Sequence, residues 1–383
     1  MINFNEKIVF KKFLLDNTYF FLLCSLSLSL IVWIVQAVNF LDFISEDGHS
    51  FDIYFYFTVL NFPKIFKNIL PFIFFISLFY TISKYEENNE LKIFWINGIN
   101  KVKFINVLIK YTFLFFLLQI FLTTLLSPAL QDKARSYLKE SNMDFFPSLL
   151  QEKKFIDTVD NLTIFIEKKK SSTEFENIFL KDELGDNKSQ IIFADRGVLQ
   201  QKDNKRKLVL FDGKFLNTDE KKTTIFNFAQ TEFDLTKYAT KTITHPKIQE
   251  LPTNFLLKCN YSYFVEKNDN RFYKYNNASL QCNEGFVKEI NQELFDRLIK
   301  PIYLFLIAII SCFLITQYKE SHRYKFHKSH IFFYGFMIIV FSEISVNFAG
   351  KNFINTIVFY LMPLVFILFG YLILKNKLIY KEK

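Results

Sequence analysis

The sequence predicts an α-helical membrane protein with six transmembrane helices, arranged three plus three, and one all-β domain inserted between helices 3 and 4. Half of the 383 residues are hydrophobic, and they cluster in long runs. Each run approaches or exceeds the roughly 20 residues that a helix needs to cross a bilayer. The middle of the chain is polar, which holds the mean hydropathy at +0.13. The six runs are about 18–41, 62–83, 104–126, 298–316, 331–349 and 355–374.

The distribution of Lys and Arg predicts the orientation of these helices. Four segments hold 15 of these residues: 1–14, 84–103, 318–330 and 375–383. The short loops on the opposite side of the membrane, 40–55 and 350–354, hold one, Lys351. Counting Lys64 and Lys67 with the opposite side raises that number to three. Because cytoplasmic loops carry the excess of positive charge, both termini are predicted to be cytoplasmic and the insert to face outward. The predicted regions are 1–128 (helices 1–3), 129–297 (the inserted, outward-facing domain) and 298–383 (helices 4–6).

Strand patterns fill the first part of the insert. NLTIFIEK (161–168) alternates in hydrophobicity, and similar stretches follow up to residue 235. In KLVLFDGKFLN (207–217), Asp212-Gly213 between apolar flanks predicts a hairpin turn. Short strands at this spacing favour a β-sandwich or a similar all-β module.

The flanks of the insert carry different patterns. LSPALQDKARSYLKES (126–141) predicts a helical extension of the third span, whereas 252–290 has weak periodicity and is predicted to be irregular. Cys259 and Cys282 lie on the outward side and could pair if that compartment is oxidising, but the sequence leaves this open. Cys24 and Cys312 lie in apolar runs, as small hydrophobic side chains do.

No catalytic motif emerges from the sequence. It lacks a phosphate-binding G-x-x-x-x-G-K-[ST] loop, an H-E-x-x-H helix and a C-x-x-C pair. Three of its five His lie in the basic stretch KESHRYKFHKSH, without the Cys or carboxylate pattern of a metal site. We therefore predict no catalytic residue, no metal site, no cofactor and no enzymatic activity for this chain.

Ionisable and polar residues near the ends of the spans are the first candidates for a binding site. Long cationic side chains at such positions often only reach the lipid headgroups. Four cations entering two spans from the same side could instead form an anion-binding rim above an apolar cavity, suited to a lipid with an acidic headgroup. The predicted substrate-binding residues are Lys64, Lys67, Arg297, Lys300, Gln36 and Glu343.

The polar loop YEENNELKIFWINGIN predicts a short amphipathic helix over about 85–98 on the cytoplasmic side. Glu86 and Glu90 are four residues apart and would share one face of this helix, with an apolar stripe beside them, and Gly98 suits the C-cap. A connector lying on the membrane is the simpler interpretation, but anionic lipids repel acids. Docking to a basic groove of another protein fits better. The residues predicted to form this docking element are Glu86, Glu87, Glu90, Leu91, Phe94, Trp95 and Gly98.

Taken in order, four features make the chain resemble the lipopolysaccharide export permease family, LptF/LptG. These are the three-plus-three plan with its central insert, NFPKIFKNILP (61–71), NELKIFWINGIN (89–100) and ELFDRLIKPIYLFLI (293–307). The resemblance spans nearly the whole chain. VQAVNFLDFISEDGHS (35–50) is more similar to the LptF branch than to LptG. The bulky Ile93, Phe94 and Trp95 depart from the small residues usual in the family's loop.

The resemblance implies a permease subunit that extracts lipopolysaccharide from the outer leaflet of the bacterial inner membrane and passes it to a periplasmic bridge. The insert would then be a β-jellyroll-like domain. Implied partners are a cytoplasmic LptB-like ATPase dimer, an LptG-like permease subunit, LptC/LptA-like bridge proteins, lipopolysaccharide and membrane lipids, with no role for nucleic acid. The docking residues of the loop between helices 2 and 3 would then be the ATPase-coupling residues. Two alternatives stay open: an ABC permease for another lipid or a lipoprotein, and a membrane-anchored sensor or scaffold without transport.

Overall fold

The fold is described from a computed structural model of the chain. The residues that the structure describes are 4–41, 51–149, 152–159, 162–171, 173–183, 188–202, 205–219, 222–235, 246–264, 272–275, 278–350 and 353–382. Residues 42–50 of the first short outward loop (40–55), Lys351 of the second (350–354), and two of the five His (His49 and His245) lie outside these ranges.

Six helical segments within the described residues are long and apolar enough to cross a membrane, which confirms the predicted number. They are span 1 (Lys7–Asn39), span 2 (Phe51–Glu87), span 3 (Lys101–Leu138), span 4 (Glu284–Thr316), span 5 (Tyr324–Phe348) and span 6 (Asn355–Ile379). The underlying α-helices are Phe4–Asn39, Phe51–Leu60, Phe62–Glu87, Lys101–Phe121, Ser127–Leu149, Glu284–Leu294, Tyr303–Cys312, Tyr324–Phe348 and Phe353–Glu382.

Several spans are longer than the apolar runs that predicted them, because polar helical turns extend them. Span 2 begins in a separate helix, Phe51–Leu60, and Pro63 occupies the first turn of the next helix, where a missing N–H costs nothing. A π-helical turn, Leu122–Leu126, joins span 3 to the helix Ser127–Leu149, so the predicted helical extension is confirmed. A second π-helical turn, Phe295–Ile299, interrupts span 4.

The helices pack around an aromatic and aliphatic core. Phe13 of span 1 and Phe74 and Phe75 of span 2 are fully buried in it. Span 5 approaches span 2 closely at Gly335, where an added Cβ would lie 2.2 Å from the Phe75 ring. Only a residue without a side chain allows this contact, since interiors are packed too densely to give way.

The insert after span 3 contains an antiparallel sheet with six strands, which confirms the predicted all-β domain between helices 3 and 4. The strand order is sequential, β1-β2-β3-β4-β5-β6, so each strand pairs with its neighbours in the chain. The alternation in β2 buries Leu162, Ile164 and Ile166 on one face, against a core shared with β3 to β6. The strands are β1 (Phe155–Val159), β2 (Leu162–Lys169), β3 (Glu174–Glu183), β4 (Lys188–Lys202), β5 (Lys205–Asp219) and β6 (Lys222–Asp234).

The hairpin predicted at Asp212-Gly213 is wrong, because β5 runs through this dipeptide from Lys205 to Asp219. Asp212 has a φ of 49°, a left-handed conformation that Asp adopts more readily than most residues. It interrupts the pairing with both neighbouring strands, but the register is the same on either side of it. Asn177 of β3 has a φ of 50° and makes a similar interruption. The left-handed residue therefore lies within a long strand instead of ending it.

The prediction that 252–290 is irregular is also wrong. This stretch contains a helix (Thr253–Phe264), a two-stranded hairpin of β7 (Phe272–Tyr275) and β8 (Ala278–Gln281), and the first turns of span 4. A disulfide joins Cys259 to Cys282, with their Cα atoms 5.8 Å apart. Both cysteines are buried in a small core of their own, and the disulfide closes the segment into a compact unit.

Candidate functional site

Arg297 organises the start of span 4, where the chain returns from the insert. Its side chain is fully buried, and each of its five N–H groups has an acceptor. Nε donates to the Glu293 carboxylate at 2.7 Å, and the terminal nitrogens donate to carbonyl and hydroxyl oxygens of residues 248–253. A planar guanidinium with five fixed donors suits this task. To bind a ligand headgroup as predicted, Arg297 would have to leave these acceptors.

A chain of ion pairs begins at Asp296, the residue before Arg297, and it links spans 2, 4 and 5. Asp296 accepts from Lys67 at 3.1 Å through one carboxylate oxygen and from Lys300 at 2.8 Å through the other. Lys300 also contacts Glu343 of span 5 at 2.8 Å. The side chains of Lys67 and Lys300 are each 8% exposed, whereas that of Glu343 is 53% exposed. The chain of pairs thus runs from a buried lysine to an exposed carboxylate.

These groups line a cleft of about 830 Å³, which we call the charged cleft. This volume lies in the range of small-molecule and cofactor sites. The cleft is polar, and its carboxylates at least balance its three lysines. The sequence predicted a rim of cations, but two of its three lysines, Lys67 and Lys300, are already paired with acids of the same chain. Its charged lining residues are Lys64, Lys67, Lys300, Glu289, Glu293, Asp296 and Glu343.

The remaining predicted substrate-binding residues lie in two places. Lys64 lines the charged cleft and donates to the Gln249 side chain at 2.9 Å. This partner is neutral, whereas Lys67 and Lys300 pair with carboxylates. Gln36 is half-buried near the end of span 1, in the compact unit that does not contain the cleft. The structure therefore brings Lys64, Lys67, Lys300 and Glu343 together in the charged cleft, and Gln36 is not among the residues that line it.

The loop between spans 2 and 3 forms a seven-residue helix, Glu90–Ile96, which we call the short helix. The predicted single helix over 85–98 is wrong, because Asn89 adopts a φ of 62° and separates Glu86, in the last turn of span 2, from Glu90. The two acids therefore do not share a helical face. The predicted C-cap is confirmed: Gly98 has a φ of 74° and its N–H donates to the Trp95 carbonyl.

The short helix has a buried face and an exposed face. Leu91 and Phe94 are buried, and the Phe94 ring lies 5.6 Å from the rings of both Phe10 and Phe104. The exposed face carries two apolar side chains, with Ile93 51% and Ile96 84% exposed. The stripe predicted to face a partner thus anchors the helix, and the two isoleucines are the apolar groups that it presents.

A hydrogen bond and ion pairs connect the short-helix region to the loop between spans 4 and 5 and to the first turns of span 5. The buried Glu86 carboxylate accepts the Lys319 backbone N–H at 3.0 Å. The exposed Glu87 pairs with Lys328 at 2.7 Å, and Lys92 pairs with Glu320. Glu90 contacts Lys12 at 3.7 Å. The two loops therefore form one surface.

Sequence reasoning missed several of the residues that build these sites. Asp296 pairs with two lysines. The sequence contained a signal for such pairs, because Asp296 and Lys300 are four residues apart on a helix, as are Glu293 and Arg297. Ile93 and Ile96 were passed over because an amphipathic pattern does not say which face is buried. The pairing of Glu87 with Lys328 joins positions 241 apart in sequence and had no local signal.

Six apolar spans divided three and three by an antiparallel sheet define a multi-pass membrane protein with an inserted domain. The family model of the lipopolysaccharide export system permease LptF/LptG matches residues 12–377, and the chain belongs to this family. It is thus a multi-pass inner membrane protein with the role of a lipopolysaccharide export permease. Uncharacterized protein RP871 of Rickettsia prowazekii (strain Madrid E) is 22% identical over 97% of this chain and 99% of its own length. The resemblance to the LptF branch stays a prediction.

Proposed function

We propose that this chain is one permease subunit of an ATP-driven transporter that extracts lipopolysaccharide from the outer leaflet and passes it to a periplasmic bridge. An LptG-like subunit would complete the membrane channel, an LptB-like ATPase dimer would supply the energy, and LptC/LptA-like proteins would receive the lipid. The observation that carries the ATP-driven part is the exposed apolar face of the short helix. Family membership supports the lipid cargo.

The proposed orientation places both termini and the short helix in the cytoplasm, and the charged cleft at the periplasmic end of the spans. The distribution of Lys and Arg supports it, since cytoplasmic loops carry more of them. The disulfide between Cys259 and Cys282 lies on the proposed periplasmic side, in keeping with an oxidising compartment. In this proposal the chain is divided as predicted into residues 1–128 (helices 1–3), 129–297 (the periplasmic β domain) and 298–383 (helices 4–6).

The short helix is the proposed docking element for the ATPase. Ile93 and Ile96 would enter an apolar pocket of the partner, and the exposed Glu87 and half-buried Glu90 would face basic groups around it. Leu91, Phe94, Trp95 and Gly98 would hold the helix in position, and Glu86 would fix it to the Lys319 loop. A small apolar anchor surrounded by charges is the usual plan of a protein interface.

Ile96→Asp tests this docking element. A charge in an apolar pocket of the ATPase is strongly unfavourable, so we expect the variant chain to lose the ATPase during co-purification in mild detergent. Glu90→Lys should weaken the complex less. The matched control is Ile225→Asp, because Ile225 is 61% exposed in the inserted sheet. Retention of the ATPase by the Ile96 variant, at the level of the control, would contradict the proposal.

The charged cleft is the proposed first contact for the phosphates of lipopolysaccharide, with Lys64, Lys67 and Lys300 as the cationic groups. Its polar lining and its volume suit a headgroup more than an acyl chain. Glu343 lines the same cleft. Crosslinkers placed at Lys64 and at Glu343 in cells should label lipopolysaccharide, and absence of labelling at both would remove the headgroup site from the proposal.

A further inference from the structure

We propose that Glu343 is a displaceable counter-ion of Lys300: an anionic headgroup in the charged cleft takes its place and releases the end of span 5 from span 4. The proposal rests on the proposed headgroup site and adds how its occupation is sensed. The observation behind it is the unequal burial of the two carboxylates that share Lys300.

Asp296 is the fixed partner of Lys300. It lies four residues away in the same span, its side chain is 17% exposed, and it also pairs with Lys67. If Asp296 left, two buried lysines would lose a partner, and an unpaired buried charge is strongly unfavourable. Asp296 therefore stays in place when a ligand enters.

Glu343 is the partner that can leave. Its side chain is more than half exposed, it belongs to a different span, and among the described residues its ion-pair partner is Lys300. The Lys300 ammonium has three donors, and both Glu343 oxygens lie within 3 Å of it. A phosphate carries more charge and more acceptor oxygens than a carboxylate. It can replace Glu343 on Lys300 without leaving that lysine unpaired.

Displacement has a consequence for span 5. Towards its C-terminal end, this span contacts span 4 through the Glu343 pair, through a hydrogen bond from the Gln292 side chain to the Asn347 carbonyl, 3.2 Å long, and through apolar packing that includes Phe341 and Tyr303. Loss of the ion pair leaves the neutral hydrogen bond and the apolar packing, so the attachment of span 5 at this point is weaker. A ligand that binds one arrangement better than the other shifts the population toward it. Occupation of the cleft thus favours a span 5 that is detached at this end.

The test compares the affinity of purified lipopolysaccharide for the full-length chain and its variants in nanodiscs. Glu343→Gln removes the competing charge and should tighten binding by about three- to tenfold, whereas Lys300→Met should weaken it at least about tenfold. In the Lys300→Met background, Glu343→Gln should change nothing. The matched control is Glu289→Gln, because Glu289 is an exposed acid of the same cleft without a contact to Lys300 among the described residues.

Each outcome separates the inference from the proposed function. If Lys300→Met weakens binding but Glu343→Gln does not tighten it, or the control tightens it equally, the counter-ion role is overturned and the headgroup site stands. If neither lysine substitution, Lys300→Met or Lys64→Met, changes binding, the headgroup site fails as well.

Hydrogen exchange supplies a second measurement on the same samples. Lipopolysaccharide should speed amide exchange over 339–348 in the unmodified chain, and Glu343→Gln should raise that rate before any ligand is added. Unchanged protection in both samples would overturn the release of span 5.

Discussion

The charged cleft and the short-helix region both connect span 2 to span 5, but different forces hold them together. At the cleft the ion pairs are largely buried, and Lys67 and Lys300 depend on Asp296. At the short helix the pairs of Lys92 and of Glu87 are exposed, and aromatic packing lies behind them. Breaking a buried pair leaves a charge without water, whereas a surface pair contributes little. The charges therefore support the fold at one end and mainly shape the surface at the other.

Arg297→Met gives the largest expected effect, since it acts where charge supports the fold. It removes five hydrogen bonds and leaves the largely buried Glu293 carboxylate without its partner. Breaking a buried pair in this way costs roughly 3–5 kcal/mol. We expect a much lower yield and a large fall in the Tm measured in detergent. The matched control is Arg323→Met, because Arg323 is exposed. Equal Tm values for the two variants would show that the cleft end does not depend on its buried charge.

Phe94→Ala tests the other half of the comparison. The Phe94 ring is 1% exposed and lies between Phe10, Phe13 and Phe104. Replacing a buried Phe by Ala lowers the free energy of unfolding by roughly 3–5 kcal/mol. We expect the lower value, about 3 kcal/mol, because the short helix has one free face and can shift to fill the cavity. The Tm should fall, and the short helix should exchange amide hydrogens faster. An unchanged Tm would mean that the loops' ion pairs hold the helix instead.

The sequence was most informative where a pattern depends on a single helix, strand or cap. The six apolar runs, the alternation of Leu162, Ile164 and Ile166, and the cap at Gly98 are local signals, and each was confirmed. Asp212 was misread because a left-handed residue can lie within a strand as well as in a turn. The cleft could not be predicted in detail, since Lys67, Asp296 and Glu343 come from three separate spans. Pairing across spans decides whether a lysine is available to a ligand.

Glu320→Gln has the smallest expected effect, because its partner Lys92 and Glu320 itself are both exposed. We expect no measurable change in Tm at neutral pH. The hydrogen bond from Lys92 holds the pKa of Glu320 below its ordinary value. A lowered folded-state pKa means that the pair contributes above the ordinary glutamate pKa of about 4.3 and that this contribution is lost as the pH falls through the lower, folded-state value. The difference in Tm between the unmodified chain and the variant should therefore stay small and flat at neutral pH and vanish in acid. A large difference in Tm at neutral pH would mean that this surface pair stabilises the loop. The charged cleft and the short-helix region would then both depend on ion pairs.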